Sequence, residues 1–391
     1  MKSARVSSCA VLVLVLAVAS TPTAATAKSF TVRAGESIQA AVDAAAPGDT
    51  VKVMSGDYIE AHSGTAAVRI TKPLKLTANG KVRILPSTGQ RDGIVVEPAH
   101  PGDPDIDGVE IKGFIVEGFS NNGIWLVHVN HFNIEKNESI NNLENGIWPT
   151  LSANGQVKKN VAYGSQDSAL WVEASENVRV LNNDLHHSPT GLEITISKQV
   201  TAENNDVHNN TVGIGLYHPG AAGLPQDQWL PGPYGYWHIE NNYVHDNNEP
   251  NTASGGETAL LPPGLGMLIL GVDHVDVEEN KIENNDFVGI GMLDWCLAVN
   301  CQANPPPPGF EDTALDYDEV VDNKLANNHT GTTPPPGPFQ DLGSDILYVG
   351  ADVFGGIPGT NDCVGPNMLI KTPGNPPPLT IELPSPLPEC D

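Results

Sequence analysis

Three tryptophans recur in the sequence at intervals of 23 residues, at Trp125, Trp148 and Trp171. The next position in this series, 22 residues later, holds Glu193. If the series marks one face of a repeating structure, indole rings and a carboxylate would stand side by side on it. Aromatic rings pack against the C–H surfaces of sugars, and carboxylates orient hydroxyl groups or transfer protons. The series therefore predicts a groove that binds a saccharide.

A second series, two residues further along each repeat, carries Glu173 and Tyr217, and His218 follows directly. Strand geometry would set the Cα atoms of Glu173 and Glu193 roughly 8 Å apart on adjacent repeats. Such a pair suits an inverting glycosidase, whose two carboxyl groups lie ~6.5–9.5 Å apart. Alternatively, Tyr217 and His218 could be the acid and the base of a lyase or an epimerase. A third interpretation stays open, in which the aromatic side chains only stack on one another or lie beneath a loop.

Long inserts interrupt the repeats beside this face. Residues 218–236, which contain Trp229, and residues 295–315, which begin with Trp295, follow the strand that carries the two series. Residues 246–263 and 329–343 precede that strand. Loops on a rigid scaffold commonly shape a binding site. We therefore expect the inserts to form a wall or a lid, with Trp229 and Trp295 contacting the substrate.

The elements that would position these groups are short strands. An asparagine followed two residues later by a small or apolar residue recurs with gaps of 23, 23, 22, 37, 38 and 43 residues, at Asn137, Asn160, Asn183, Asn205, Asn242, Asn280 and Asn323. After each comes an alternating apolar segment, usually opened by glycine, such as residues 191–194. Segments this short are stable only when stacked as parallel strands, about 4.8 Å apart. The pattern predicts an all-β fold, a parallel β-helix in which the asparagines form a hydrogen-bonded ladder.

The two ends of the predicted domain differ in composition. Residues 36–45 form an amphipathic pattern and predict a short helix that caps the open edge of the first coil. Residues 358–391 are rich in proline and are not expected to continue a sheet. We expect this tail to pack on the last coils, so that the β-helix domain spans residues 28–357.

The first 27 residues predict a signal peptide. Lys2 and Arg5 precede an apolar run, and the small residues 25–27 form a cleavage motif. The mature chain would then begin at Lys28 and be secreted or periplasmic. Removing two basic residues and no acid takes the formal charge from −27 to −29.

Four cysteines remain in the mature chain. An even number in an oxidising compartment favours two disulfides, most simply Cys296–Cys301 and Cys363–Cys390, although two other pairings are possible. A zinc site is the rival interpretation, but no pair has the two-residue gap of a zinc knuckle.

The negative charge limits the partners. A surface this acidic disfavours nucleic acids and anionic membranes. A uronate substrate would need its carboxylate neutralised, and no arginine follows Arg179 in the sequence. Only a metal ion or contacts from Lys158, Lys159 and Arg179 could supply that charge, so a neutral glycan is easier to accommodate.

A group of histidines and two clusters of carboxylates could each hold a metal ion. His186, His208 and His245 each lie three residues after a ladder asparagine, and three imidazoles in register could bind a transition metal. Calcium is the cofactor that clustered carboxylates would favour. The two clusters are Asp273, Asp276, Glu278 and Glu279, and Asp316, Asp318, Glu319 and Asp322. Solvated acids and ordinary turn residues are the competing interpretation.

Residues 32–41 (VRAGESIQAA) and 47–51 (PGDTV) resemble the start of many pectin-lyase-like β-helix proteins. Residues 160–291 are similar to a narrower bacterial group of exported parallel β-helix repeat proteins, above all at 191–194 (GLEI), 211–219 and 262–269 (PPGLGMLI). The resemblance implies a right-handed helix. The wider superfamily includes polysaccharide lyases, uronan C5-epimerases, pectin hydrolases, esterases and binding proteins, so the fold does not choose a function.

Together these patterns predict an exported β-helix protein that binds or acts on a polysaccharide or a cell-surface glycan, as a lyase, an epimerase or a hydrolase. The alternative is a scaffold or adhesion protein that binds a partner through its loops, and a periplasmic metal-handling protein is the third candidate. We expect a monomer without a membrane span.

Overall fold

A computed structural model describes residues 26–256, 258–299, 301, 305–331, 341–350, 360–383 and 386–390. Residues 1–25 of the predicted signal peptide lie outside these ranges, as does most of the predicted insert 329–343. In the described part of the chain, no helix has both the length and the apolar character needed to cross a membrane.

The described chain consists mainly of short strands. The first sixteen are β1 (Ser29–Val32), β2 (Thr50–Ile59), β3 (Ala66–Ile70), β4 (Leu74–Leu85), β5 (Asp92–Val96), β6 (Ile106–Glu117), β7 (Ile124–Val127), β8 (Val129–Glu135), β9 (Glu138–Ile140), β10 (Ile147–Thr150), β11 (Ala153–Lys158), β12 (Val161–Tyr163), β13 (Ser168–Glu173), β14 (Glu176–Leu181), β15 (Asp184–His186) and β16 (Thr190–Thr195).

The following strands are β17 (Thr201–Glu203), β18 (Asp206–His208), β19 (Val212–Tyr217), β20 (Trp237–Glu240), β21 (Tyr243–His245), β22 (Leu265–Leu270), β23 (Val275–Glu278), β24 (Lys281–Glu283), β25 (Val288–Leu293), β26 (Glu319–Val321), β27 (Lys324–Ala326), β28 (Ser344–Val349), β29 (Cys363–Val364), β30 (Met368–Ile370) and β31 (Thr380–Leu383). Two α-helices, α1 (Ile38–Ala44) and α2 (Trp295–Val299), complete the list with three short 3-10 turns, at Pro219–Ala221, Gln226–Gln228 and Thr258–Leu260.

Each full coil contributes three strands, and each strand pairs in parallel with its counterpart in the next coil. The strands therefore stack into three faces. The first face runs from β8 through β11, β14 and onward to β29, and the second runs from β9 through β12, β15 and onward to β30. The long strand β6 bends across both of these faces. The third face consists of β3, β5, β7, β10, β13, β16, β19, β22, β25, β28 and β31.

Alternation within the strands sends one set of apolar side chains into the solenoid, as predicted for the third face. Ile124, Leu126, Leu170 and Ile194 are all fully buried there and belong to one continuous core. Burial of such a side chain stabilises the fold by about 1.5–3 kcal/mol. Because each short strand would be unstable alone, this shared core is what holds the coils together.

The predicted capping helix is confirmed as α1. Ser37 is its N-cap, and the Ser37 hydroxyl accepts a hydrogen bond from the Ala40 backbone N–H at 3.0 Å. Ile38 and Val42 are buried against the first coils. The helix therefore covers the open end of the core, as an N-terminal cap should.

The asparagine ladder is also confirmed. In each of the first seven coils that carry it, the backbone N–H of one asparagine donates to Oδ1 of the asparagine in the following coil, at 2.9–3.0 Å. The Nδ2 group of Asn183 donates to the Val157 carbonyl and to Asn205 Oδ1, both at 2.9 Å. The ladder thus satisfies buried polar groups that would otherwise destabilise the turn.

The β-structure continues past the predicted boundary at residue 357, so the expectation that the tail would not extend a sheet is wrong. Strands β29, β30 and β31 pair with β26, β27 and β28 and add a further coil. The described prolines of this segment lie outside the three strands, where they interrupt no ladder hydrogen bond. Asn367 extends the asparagine ladder to this coil.

Both predicted disulfides are present, Cys296–Cys301 and Cys363–Cys390. The first links Cys296 within α2 to Cys301 just beyond the helix, and the second ties β29 to the segment after β31.

The inserts cover the C-terminal part of the third face. Trp295 and Leu261 from two of them pack on outward side chains of the later strands, including Leu268 and Leu347, which are 1% and 3% exposed. These residues form a second apolar cluster outside the solenoid, which we call the outer cluster. Its presence means that only the N-terminal part of the third face stays open.

Candidate functional site

Trp125, Trp148 and Trp171 lie in one column on the third face and stack on one another. Their ring centroids are separated by 5.1 and 5.3 Å, with ring planes 7° and 11° apart. Each ring therefore covers a face of its neighbour, as in the interpretation in which the aromatic side chains stack on one another. Trp171 is only 6% exposed, so the outer face of Trp125 is the main free ring face of this tryptophan stack.

Glu193 follows Trp171 in the same column, because the two residues are paired across β13 and β16. The side chain is 3% exposed, and the Ser168 hydroxyl donates a hydrogen bond of 2.6 Å to its Oε2 atom. The Trp171 indole N–H donates to the Thr195 hydroxyl at 2.8 Å, which fixes the orientation of the ring beside Glu193.

A cavity of about 290 Å³ opens at this point, and we call it the acidic cavity. Trp171 and Glu193 form its base, and Glu144 and Asp167 lie at one end of the strand. The remaining described lining comes from Leu143 and Gln166 and from the two inserts at residues 221–223, 254–256 and 258. No lysine or arginine is found among these lining residues.

Glu144 and Asp167 are functional candidates that were not predicted from the sequence. Both precede the third-face strand by the same offset, 23 residues apart, and the Asp167 backbone N–H donates to the Glu144 carbonyl. Glu144 and Asp167 follow the same 23-residue period as the tryptophans, so this period in the turn positions is the signal that identifies them. They stand one coil apart along the wall of the acidic cavity.

Tyr217 is buried behind the cavity and folds back over Gly215. A Cβ atom at residue 215 would lie 2.1 Å from the Tyr217 hydroxyl, so only glycine fits beneath the ring. Gly215 is the register partner of Glu193, which sets the phenol next to that carboxylate. Burial raises the pKa of Tyr217 well above its usual value, and the charges of Glu193 and Asp167 raise it further. The phenol therefore stays protonated at neutral pH.

Glu173 does not open into the acidic cavity with Glu193. It is fully buried, and its Oε1 atom accepts hydrogen bonds from the backbone N–H groups of Gly223 and Leu224, at 2.6 and 3.0 Å. Its Oε2 atom makes no hydrogen bond of normal geometry to any described residue. Burial raises the pKa of Glu173 to about 7, although the two backbone N–H groups oppose this shift. Glu173 therefore holds the insert over Trp171 and is not placed to form an inverting pair with Glu193.

His218 holds two inserts together. The Gly220 backbone N–H donates to its Nδ1 atom at 2.9 Å, so the ring proton sits on Nε2 and is donated to the Asp312 carbonyl at 3.1 Å. Burial lowers the pKa of His218 to about 4, which keeps the ring neutral. With both nitrogens engaged, the structure does not bring His218 together with Tyr217 as an acid–base pair.

The two insert tryptophans also pack internally. Trp295 is 2% exposed and stacks on His218 with a centroid separation of 5.1 Å. Trp229 is half-buried, donates its indole N–H to the Leu224 carbonyl at 2.7 Å and contacts Phe310. Neither ring lines the acidic cavity, so their predicted contact with substrate is replaced by a role in shaping the inserts.

The histidine column does not converge on a point. His186, His208 and His245 stack face to face with centroid separations of 5.0 Å, and their nitrogens turn sideways to Asp184 and Asp206. Within the described ranges, no three His, Cys, Asp or Glu side chains are placed to share a metal ion, which applies to both acidic clusters as well. Burial raises the pKa of Asp318, and the charge of its neighbour Asp362 raises it further.

Comparison with known proteins bears on the fold. Residues 92–224, about a third of the chain, match the family model described as "Right handed beta helix region". No curated protein matches the sequence.

Solved structures cover the chain more fully. The A-module of the mannuronan C-5 epimerase AlgE4 from Azotobacter vinelandii is 15% identical, with a TM-score of 0.57 over 86% of this chain and 93% of its own. DFA-IIIase from Arthrobacter chlorophenolicus A6 in complex with GF2 is 12% identical, with a TM-score of 0.60 over 86% of this chain and 82% of its own. The same enzyme in complex with DFA-III is also 12% identical, with a TM-score of 0.56 over 85% and 79%. At such identities the likeness concerns the fold, and the chain is a right-handed parallel β-helix.

Proposed function

We propose that this protein hydrolyses a neutral glycan in the acidic cavity. The observation that carries the proposal is the meeting of three carboxylates, Glu144, Asp167 and Glu193, in one cavity that the edge of the Trp171 ring also lines. An aromatic face and a few convergent polar groups are what a sugar site requires. The solved structures named above include glycan-modifying enzymes by their titles, which supports a carbohydrate as the ligand.

Hydrolysis needs one carboxyl group as acid and one carboxylate as base. We assign these roles to the pair Glu193 and Asp167. The acid donates its proton to the glycosidic oxygen as the bond from that oxygen to the anomeric carbon breaks. The base takes a proton from water, whose oxygen bonds to the same carbon. The protonated Tyr217 phenol lies next to Glu193 and can donate a hydrogen bond to the anionic form.

The charge of the lining favours a neutral substrate over a uronate. A uronate carboxylate placed against three acids would be repelled unless a cation neutralised it. Lys158 and Arg179, which the sequence offered for this purpose, lie on the first face in β11 and β14. Arg179 there contacts Glu203 at 3.6 Å. Lyase and epimerase reactions on uronates therefore have less support here than hydrolysis.

The proposal is tested by incubating the protein with neutral cello-, xylo-, manno- and fructo-oligosaccharides and analysing the products. We expect hydrolysis of at least one series and a loss of about 10²- to 10⁴-fold in kcat for Glu193→Gln and for Asp167→Asn. The matched control is Glu138→Gln, an exposed glutamate on the second face, which should keep full activity.

Other results would contradict the proposal in distinct ways. Binding without turnover would make the protein a carbohydrate-binding module, and an unsaturated product would make it a lyase. If no glycan is bound or cleaved, the scaffold that binds a partner through its loops becomes the preferred function.

A further inference from the structure

We infer that the acidic cavity receives the end of a glycan chain and that the rest of the chain runs along the tryptophan stack toward Trp125. This inference rests on the proposed function and adds the mode of attack to it: the protein would release units from a chain terminus, because the interior of a polymer has no path through the cavity.

The third face is closed beyond Glu193. The next position in the column is Gly215, which is buried beneath the Tyr217 ring. The position after that is Leu268, which is 1% exposed and belongs to the outer cluster. A sugar chain lying on the tryptophan column would therefore meet packed side chains one coil after Glu193 and could go no further in that direction.

The insert also closes the cavity at one end of the strand. A Cβ atom at Gly223 would lie 2.7 Å from the Trp171 ring, so the insert backbone rests directly on the indole. The two hydrogen bonds from Gly223 and Leu224 to Glu173 fix this contact. At the other end of the strand, Glu144 and Asp167 form the wall. A glycan crossing the face at right angles to the stack would have to pass through one of these barriers.

In the opposite direction the column becomes more exposed. Trp171 is 6% exposed, whereas Trp148 and Trp125 are both partly exposed, and beyond Trp125 lies a second cavity of about 740 Å³. Its lining includes Gln39, His62 and Arg69 as well as Trp125. These side chains offer an aromatic surface with hydrogen-bond donors and acceptors, which is what a further sugar unit requires.

The spacing of the coils sets the length of chain that fits. From Glu193 to Trp125 the column advances by three coils, or roughly 14 Å at ~4.8 Å per coil. One unit of an extended sugar chain is about as long as one coil is high. A tetrasaccharide with its end in the acidic cavity would therefore reach Trp125. Shorter substrates would not contact this ring.

The inference is tested with the oligosaccharide series that the protein cleaves, from disaccharide to octasaccharide, together with a cyclic oligosaccharide of the same linkage. We expect early products of one or two units only, no cleavage of the cyclic compound and a kcat/KM that rises up to the tetrasaccharide. In Trp125→Ala, the ratio of kcat/KM for tetrasaccharide over disaccharide should fall by about tenfold. Tyr236→Ala, which removes an exposed ring stacked on His274 far from the groove, should leave this ratio unchanged.

Failure of the inference is distinguishable from failure of the proposed function. Cleavage of the cyclic compound, or early products of many lengths, would show attack within the chain and overturn the inference while hydrolysis stands. An unchanged ratio in Trp125→Ala would overturn the assigned path of the chain. If no member of the series is cleaved, the proposed function falls and the inference falls with it.

Discussion

Glu173 illustrates how opposing contacts set the charge of a single buried residue. Two backbone N–H groups favour the ionised carboxylate, whereas complete burial removes it from water and favours the neutral acid. Burial dominates, and the pKa rises from 4.5 to about 7. Because this pKa is raised in the folded state, the associated stabilisation is present below pH 4.5 and is lost as the pH rises through 7.

The substitution Glu173→Gln should remove this pH dependence. Glutamine keeps an oxygen to accept the bonds from Gly223 and Leu224 but has no charge to bury. Relative to the parent protein, the free energy of unfolding of the variant should therefore increase by about 3 kcal/mol between pH 5 and pH 9. Denaturant unfolding at both pH values measures the difference, with Glu138→Gln as the exposed control. If the difference in the free energy of unfolding between Glu173→Gln and the parent protein stays constant with pH, the raised pKa of Glu173 is contradicted.

The residues that repeat with the period of the coils could be assigned to a common column from the sequence. The burial of residues that an insert covers could not be predicted. The column of Trp125, Trp148, Trp171 and Glu193 follows directly from equal spacing. The burial of Glu173 and His218 depends on where an aperiodic insert crosses the strand, and no spacing in the sequence encodes that path. Asp167 follows the same period as Glu144, but it lies in a turn and not in the strand that carries the tryptophans.

At the scale of elements, the asparagine ladder links successive coils from Asn137 to Asn367 through side chains as well as strands. The Asn183 side chain takes part in four hydrogen bonds, two through Oδ1 and two through Nδ2. It is 1% exposed, so water cannot replace a lost partner. The ladder is therefore expected to contribute to stability in proportion to the burial of each rung.

Replacing a buried asparagine of the ladder should lower the free energy of unfolding more than replacing an exposed asparagine of the same coils. Asn183→Ala leaves buried N–H and C=O groups unpaired, and we expect a loss of about 3 kcal/mol in the free energy of unfolding. Asn154→Ala removes an exposed side chain of β11 and should cost less, about 1 kcal/mol, mainly because the φ of 54° at residue 154 suits asparagine better than alanine. Chemical denaturation of both variants compares the two. Equal losses would mean that the ladder does not stabilise the coils.

The strands themselves were predictable because Gly-led apolar segments and ladder asparagines mark each coil. The last coil was not predicted because proline disfavours strands, although Asn367 and Leu369 repeat the same Asn-x-apolar pattern. Proline excludes a strand only where it stands within one, and here it stands in the connections.

At the scale of the whole molecule, the two disulfides and the acidic surface fit a protein that works outside the cytoplasm. Disulfides persist in oxidising compartments, so we propose that the chain is exported. Bacterial expression of the full sequence should yield an exported form that begins at Lys28 and has no free thiols. Intact-mass analysis with and without reductant measures both features. An unprocessed N-terminus with five reactive thiols would contradict the proposal.

The outer cluster has a mechanical consequence. In a solenoid each coil contacts only its neighbours, so coils that no insert crosses can unfold one at a time from an end. The insert at residues 218–236 packs on Val127, Leu151, Ala174 and Ile196, and the outer cluster joins strands from β19 to β31. The coils from β7 onward should therefore unfold as one unit under heat or force. The acidic cavity lies within that unit, so unfolding that begins at the N-terminal end should stop before it reaches the cavity.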